Sequence, residues 1–509
     1  MTKTLKYGII TRIKKQKRKL KNINSKPKRK DGGLMETINK RYLGIDIGTT
    51  SLKAAVFDSE GNRLGLKTVD YTLDTDNESG FIEFGADKYV EMCRQVIAEL
   101  EAECGKIEAL SVDTQGETLI LADANGRALC PAVVWLDNRA VDEAEAIKNK
   151  FGNKKVYEVT GQPEITAGWP GSKLLWFKNN KPDIWEKTEK VFMLEDWIMY
   201  NLSGNFVTEP TIQSSTIYFD ITSRTWWREM LDYIGIDAAK LPRVAESCEV
   251  VGEYNGIKVV TGSLDQIAGT IGAGVTDKSK ISEMTGTIMA ICVMSDTIPP
   301  FNPNSIIPCH MHAIDGKYCL ILWSSTAGMA LKWFKNNFAS EYSFAELDGL
   351  ADKVAPGCDG LTMLPYFCGS TMPKYNPEAT ATFSGINLSH TRAHFARSIM
   401  EAVAFTLKQN LEYVGADAVE EIRITGGGAS SKLWSQIKAD VTGKRLRTVS
   451  ESETACLGSA IIAAVGAGEF KSISDAAEKI VKGKSEYTPS GASYAGAYDR
   501  YCKLDKILN

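Results

Sequence analysis

From Tyr42 onward, apolar positions alternate with small or polar ones: Leu43, Ile45 and Ile47 against Gly44 and Asp46. That period of two predicts a strand. Leu52, Ala54 and Val56 continue it on a second strand, and Glu60-Gly61-Asn62 predicts the hairpin turn that follows. Tyr89, Cys93, Val96, Ile97 and Leu100 then share one face at helical spacing. Further strands are predicted around Leu110 and Val112 and, as AVVWLDNR, over residues 132–139. A long middle section (SKLLWFKNN, EDWIMYNLSG) reads as helical, with Trp176, Trp197, Trp226 and Trp227 expected as core anchors. A second α/β region begins near residue 259 with VVTGSLDQIAGTIGAG and continues through KISEMTGTIMAICVM. It reaches a long amphipathic helix with Phe395, Ile399, Val403, Leu407 and Leu411 four apart, and ends in EIRITGGGASSKLW and ACLGSAIIAAVGAGEF. The stretches IDIGTTSLKAAVFD and SEMTGTIMAICVMSD share a plan of strand, Gly/Thr turn and strand, which points to two similar halves facing each other.

Length and composition narrow this picture. A chain of 509 residues is too long for one ordinary core and predicts two or more domains. At 43% hydrophobic and 24% charged residues the composition is globular, and no run of eighteen apolar residues predicts a membrane span. The 11 cysteines form no CxxC pair, which fits packed, reduced thiols and a cytoplasmic setting. His310 and His312 read as strand or loop residues rather than metal ligands, since no cysteine or third histidine lies near them in sequence. Charge is uneven. Residues 1–34 carry 13 Lys/Arg and one acid, whereas the remainder carries 47 bases and 62 acids. The tract KKQKRKLKNINSKPKRK has no aromatic residue to stack on a base, so nucleic acid is not the expected partner. Residues 1–40 are read as a basic, disordered extension outside the fold, with Met35 a natural beginning for the folded part.

Candidate chemistry starts at the first turn. Glycines let backbone N–H groups approach a ligand closely, and Thr and Ser hydroxyls add donors, so Gly48-Thr49-Thr50-Ser51 suits phosphate oxygens. Nucleotide phosphates come with Mg²⁺, which takes carboxylate oxygen; Asp46, just before the turn, is therefore expected to face a crevice. A hairpin with small turn residues is the simpler alternative. The turn leads into a strand and lacks the lysine of GxxxxGK[ST]. At Gly483-Lys484-Ser485 the required upstream glycine is Glu478, and no GxGxxG follows a strand. Thr285-Gly286-Thr287 repeats the turn in the second half. Gly426-Gly427-Gly428 follows a strand and suits a flat ligand such as adenosine, or simply a tight strand-to-helix turn. Asp265, in TGSLDQIAG, is either a reactive carboxylate or a helix N-cap.

In order, GIDIGTTSLKAAVFD, GSLDQIAGTIGAG, SEMTGT, FSGINLSHTRAHFARSIMEAVAF, ITGGGASSKLWSQIKADVTGKRL and ETACLGSAIIA resemble the FGGY carbohydrate kinases across residues 41–505. The resemblance implies an α/β fold of two actin-like (ribonuclease H-like) domains, with mixed sheets flanked by helices, closing over a central cleft. Residues 41–258 would form the sugar-binding side and 259–509 the ATP-binding side. The implied activity is ATP-dependent phosphorylation of a sugar or polyol hydroxyl, with ATP and Mg²⁺. Position by position, Asp265 matches the catalytic base and Asp46 the carboxylate near Mg²⁺. Gly48, Thr49 and Thr50 match one phosphate loop and Thr285, Gly286 and Thr287 the other. Gly427, Gly428 and Ala429 match the adenosine segment, and Ala327 and Gly328 resemble another nucleotide-side stretch. Gln115-Gly116-Glu117-Thr118 resembles the glycerol kinase QRET stretch with glycine in place of arginine, and the xylulokinase QMHG pattern is absent. Gln115, Glu117 and Gln266 are expected on the substrate side, with Glu83 either there or a solvated acid before a helix. Trp135, Asp137 and Arg139 resemble a strand end near the sugar. The partner is a small sugar or polyol, no membrane is involved, and a homodimer is left open. A non-catalytic nucleotide-binding regulator or chaperone-like ATPase on the same fold is the alternative, and it would lack the base after TGSL.

Overall fold

The computed structural model describes residues 40–76 and 78–509; the basic extension and its expected disorder lie outside the described residues. Lys40–Asn509 forms one compact unit. Among the described residues no helix is long and apolar enough to cross a membrane.

The alternating stretch from Arg41 builds a six-stranded mixed sheet. Its order is Val250–Tyr254, Ile257–Leu264, Ala109–Thr114, Arg41–Ile47, Ser51–Asp58 and Arg63–Asp70. The Glu60-Gly61-Asn62 turn is where it was expected: the Asp58 carboxylate accepts the Glu60 and Asn62 amides, and Gly61 has φ +78°. The three central strands run parallel, with Asp46 opposite Asp113 and Leu264 opposite Thr114. Helix Ala86–Cys104 covers one face, burying Tyr89, Cys93, Val96, Ile97 and Leu100 as the spacing predicts.

A seven-stranded sheet forms the second half, in the order Cys309–Met311, Tyr318–Ser324, Met289–Ser295, Lys280–Thr285, Glu421–Thr425, Arg445–Val449 and Gly483–Tyr487. The two strand-turn-strand stretches are hairpins of like plan, Arg41–Ile47 with Ser51–Asp58 and Lys280–Thr285 with Met289–Ser295. Helix Arg392–Tyr413 packs beneath this sheet along Ile399, Val403, Leu407 and Leu411.

Two readings of the chain are corrected. The stretch 132–139 is strand only at Ala132–Val133. Beyond it Asp137 turns the chain by accepting the Ile82 and Arg139 amides, so the apolar run ends in a side-chain-capped turn. Residues 258 and 259 fall inside strand Ile257–Leu264, which pairs in the first sheet, so that sheet runs past the expected boundary.

Helices Asp265–Gly272 and Thr454–Gly466 cross between the sheets, in a core of Tyr42, Phe57, Ile267, Ile271, Cys319 and Ile461. Helix Thr454–Gly466 is apolar on nearly all sides, as an element buried on all sides requires. Glycine sets the closeness of these contacts. A Cβ on Gly458 would overlap the Ala268 carbonyl, one on Gly272 the Thr454 carbonyl, and one on Gly44 the Cys456 carbonyl. Gly458→Val is therefore expected to cost about 3 kcal/mol or more, at the upper end for overpacking. Thermal denaturation checks this, and an unchanged midpoint would mean that the helices part without penalty.

Candidate active site

Parallel strands end together, so the residues after them share one edge of the sheet, where ligands of open α/β sheets bind. Here that edge is acidic. Asp46 and Asp113 are register partners near the ends of adjacent strands, and Asp265 follows the end of the third. Asp265 is the first residue of helix Asp265–Gly272 rather than its N-cap, and its carboxylate accepts the Gln266 amide at 2.6 Å. Burial pushes the Asp265 carboxyl up to about 8, and the Asp46 charge adds to the shift. Burial also pushes Asp46 up to about 6, opposed by a hydrogen bond with Asp113 and by the Lys53 charge. Asp113 is raised well above the carboxylate range by burial and by Asp46. Its Oδ2 accepts Ser459 Oγ at 2.5 Å from the glycine-packed helix, and its buried Oδ1 has no partner.

A cavity of about 630 Å³ opens beside Asp265, lined also by Thr49, Gln115, Glu117, Gln266 and residues of the second half including Ile288 and Trp323. Glu117 sits at φ +57°, a left-handed conformation uncommon for a side chain larger than glycine. Lys173, fully buried, holds it by donating to the Glu117 and Val134 carbonyl oxygens at 3.1 and 2.8 Å. Burial pushes the Glu117 carboxyl up to about 7, opposed by Ser215 and Lys173, and pushes the Lys173 amine down to about 7. Gln115 reaches Tyr89 Oη at 3.5 Å, and its buried Oε1 has no partner.

Glu83 is not among the residues that line this cavity. Its carboxylate takes Arg139 Nη2 at 2.7 Å, and the guanidinium also pairs with buried Asp137 and stacks on Phe81 and Trp176. Glu83, Asp137 and Arg139 thus form a brace behind the turn. Trp135 and Asn138 of the same turn line the cavity, and Trp135 Nε1 donates to Thr49 Oγ1 at 3.0 Å.

The Gly/Thr segments of the second half are packed on one another. Ala327 and Gly328 donate their amides to the Thr287 and Gly286 carbonyls at 3.1 and 3.0 Å. Gly426 (φ +76°) and Gly428 lie where a Cβ would overlap Thr285, whereas Gly427 faces open space and Ala429 lies in the short turn that follows. The Thr285 hydroxyl is committed beneath the turn to Glu283 and to Lys438 Nζ (2.7 Å), and Lys438 also pairs with Glu283 at 2.8 Å. Thr287 is exposed at the tip. In the first turn Gly48 closes the hairpin by donating to the Ser51 carbonyl at 3.0 Å, and Thr50 is exposed beside it.

Sequence patterns did not single out Asp113, Lys173, His310 or Lys438 as site residues. Asp113 stood within DTQGET, but only strand register sets it beside Asp46. The other three are packed by tertiary contacts that leave no local spacing signal.

The sequence model of the FGGY family of carbohydrate kinases, N-terminal domain, matches residues 41–280, and that of the C-terminal domain matches residues 299–467. The chain belongs to the FGGY family of carbohydrate kinases. A xylulose kinase of Lactococcus lactis subsp. lactis is 27% identical over 449 residues, 85% of this chain and 89% of that one. An autoinducer-2 kinase of Salmonella typhimurium is 27% identical over 490 residues, 89% of this chain and 91% of that one. The crystal structure of a xylulose kinase from Rhodospirillum rubrum superposes with a TM-score of 0.84 at 26% identity, over 92% of this chain and 99% of that one. As an FGGY carbohydrate kinase the chain is an ATP-dependent phosphotransferase with the actin-like ATPase fold.

Proposed function

We propose that the chain transfers the γ-phosphoryl group of ATP to one hydroxyl of a small sugar or polyol bound in the cavity beside Asp265, with Asp265 as general base. The observation that carries this reading is the convergence of Asp46, Asp113 and Asp265 at one sheet edge, beside a cavity that contains Glu117 and reaches across to the second half. Residues around the first sheet form the sugar side and those around the second the nucleotide side. Phosphate oxygens would lie between the turns Gly48–Thr50 and 285–287, with the adenosine along Gly427, Gly428 and Ala429 and beside Ala327 and Gly328. Since the Thr285 hydroxyl is committed to Glu283 and Lys438, that residue serves by shaping the turn.

A sugar hydroxyl is a very weak acid, so it needs a positioned carboxylate to orient it and accept its proton as the phosphoryl group arrives. The raised proton affinity of Asp265 suits that task. Glu117 and Gln115 supply acceptors for neighbouring hydroxyls, and Gln266 borders the same space.

Among the described residues no three His, Cys, Asp or Glu side chains are grouped to hold a metal ion alone. Mg²⁺ in phosphoryl-transfer sites takes one or two carboxylates and completes its shell with phosphates and water. Asp46, next to Asp113 with its unpartnered Oδ1, fits that donor set. When bound, Mg²⁺ would screen phosphate charge. Closure of the two halves would exclude water that otherwise hydrolyses ATP. The eleven free thiols fit a reducing, cytoplasmic setting.

The test is an ADP-release screen of purified protein against ketoses, aldoses and polyols, with the phosphorylated product identified by mass spectrometry. Carbohydrate-dependent ADP release with a matching sugar phosphate is expected. Release independent of every carbohydrate would overturn the reading.

A further inference from the structure

Gly116 stands where a related stretch carries a side chain, and the structure fills that space from elsewhere. A Cβ at position 116 would press on Ser215 Oγ at 3.2 Å and on Leu264 Cδ1 at 3.1 Å. Ser215 Oγ in turn lies 3.1 Å from His310 Nε2, and Gln162 Nε2 lies 3.3 Å from the same nitrogen. His310 belongs to strand Cys309–Met311 of the second sheet, whereas Ser215 and Gln162 precede the last strand of the first. All three line the cavity that contains Asp265 and Glu117.

Hydrogen bonds tie this cluster together. Gln162 keeps its amide NH₂ on the Ser214 carbonyl at 2.7 Å, so it offers His310 an N–H. His310 Nδ1 and Gln162 Oε1 are buried and have no partner. Burial pushes the His310 imidazole down to about 4, so the ring is neutral at physiological pH. Ser215 also bonds the Glu117 side chain, which links His310 to the carboxylate in the cavity.

Apart from His310, the ionisable side chains of the lining are all acids. The lining holds Glu117, Glu164 and Asp265, and no lysine or arginine is among the described residues that line it. Two buried cations behind it are committed elsewhere: Lys173 to two backbone carbonyls beneath Glu117, Arg139 to Asp137 and Glu83. A carboxylate or phosphate on the acceptor would thus lie among acids with no counter-ion in a partly desolvated space.

We infer that the acceptor site selects an uncharged polyhydroxy carbohydrate against sugar acids and sugar phosphates, and that His310, reaching from the second sheet to Ser215 and Gln162, is a specificity-determining residue of that site. This rests on the sugar-kinase reading above and narrows its substrate class. A neutral imidazole, a hydroxyl and an amide discriminate by matching hydroxyl or carbonyl groups, because a ligand lacking them leaves buried polar atoms unpaired.

The experiment compares kcat/KM of the full chain for neutral ketoses and polyols with that for the aldonates and sugar phosphates of the same chain length. Neutral acceptors are expected to win by about 100-fold. His310→Phe is expected to raise the KM of the preferred sugar about tenfold while the ATP KM moves less than about twofold, with His310→Gln recovering part of the loss. A charged acceptor used as well as its neutral counterpart would overturn the inference. So would a folded His310→Phe enzyme whose sugar KM is unchanged. If that variant does not fold, Ser215→Ala and the wild-type acceptor ratio decide the matter. Transfer to none of the acceptors, charged or neutral, would instead remove the sugar-kinase reading and this inference with it.

Discussion

Replacing Asp265 with asparagine is expected to lower kcat by about 10²–10⁴-fold, the span typical for loss of a general base, while ATP affinity changes little. Asparagine keeps the size of the side chain and can still accept the Gln266 amide that anchors Asp265. What it loses is the site that receives the hydroxyl proton. The pH profile carries the same signature. A base works only when ionised, and burial followed by the Asp46 charge pushes this carboxyl up to about 8. The kcat/KM of the free enzyme should therefore fall as pH drops through about 8. Neutralising the Asp46 charge relieves part of that shift, so Asp46→Asn should move the fall to lower pH. Stopped-time assays of sugar phosphate, with nucleotide binding measured separately, check both. Near-normal turnover of Asp265→Asn, or a flat profile from pH 6 to 9, would remove Asp265 from the mechanism.

Glu117→Gln is expected to raise the sugar KM by about 10–100-fold and leave the ATP KM nearly unchanged, as loss of a hydrogen bond to a charged acceptor does. The backbone makes this prediction sharp. Glu117 holds a left-handed φ of +57°, which costs a non-glycine residue about 1–2 kcal/mol. Glu117→Gly should relieve that cost, so its melting temperature should match or exceed that of the parent while sugar binding is lost. Stability and binding then move in opposite directions, which a structural role does not allow. Equal losses for sugar and nucleotide in Glu117→Gln would mean that the residue only supports the cleft.

The sequence made legible what is local. Alternation from Leu43 to Val56 announces a hairpin, and an acid in an apolar strand flags Asp46 as facing something other than core. The ordered motifs announce the family and the set of Gly/Thr turns. What stayed hidden depends on pairings between distant segments. Asp113 becomes the neighbour of Asp46 only through parallel register, which hydrophobic periodicity does not encode. Strand Ile257–Leu264 reads as the start of the second half, yet its hydrogen bonds belong to the first sheet. The apolar run at 132–139 looks like a strand because nothing local reveals that the Ile82 amide takes the Asp137 carboxylate. Glu83 and Glu117 are both acids near a motif, and only the position of Arg139 separates them. His310 reads as a strand or loop residue, which it is, but its partners Ser215 and Gln162 come from turns and loops of the first half.

Residues 454–466 form the helix that backs strand Arg41–Ile47 through Gly44 and supplies the Ser459 hydroxyl to Asp113. Those residues leave the ribosome long after the strands they brace. The acidic edge is thus among the last features a growing chain can assemble, and a fragment released before that helix lacks the bolt that seats it.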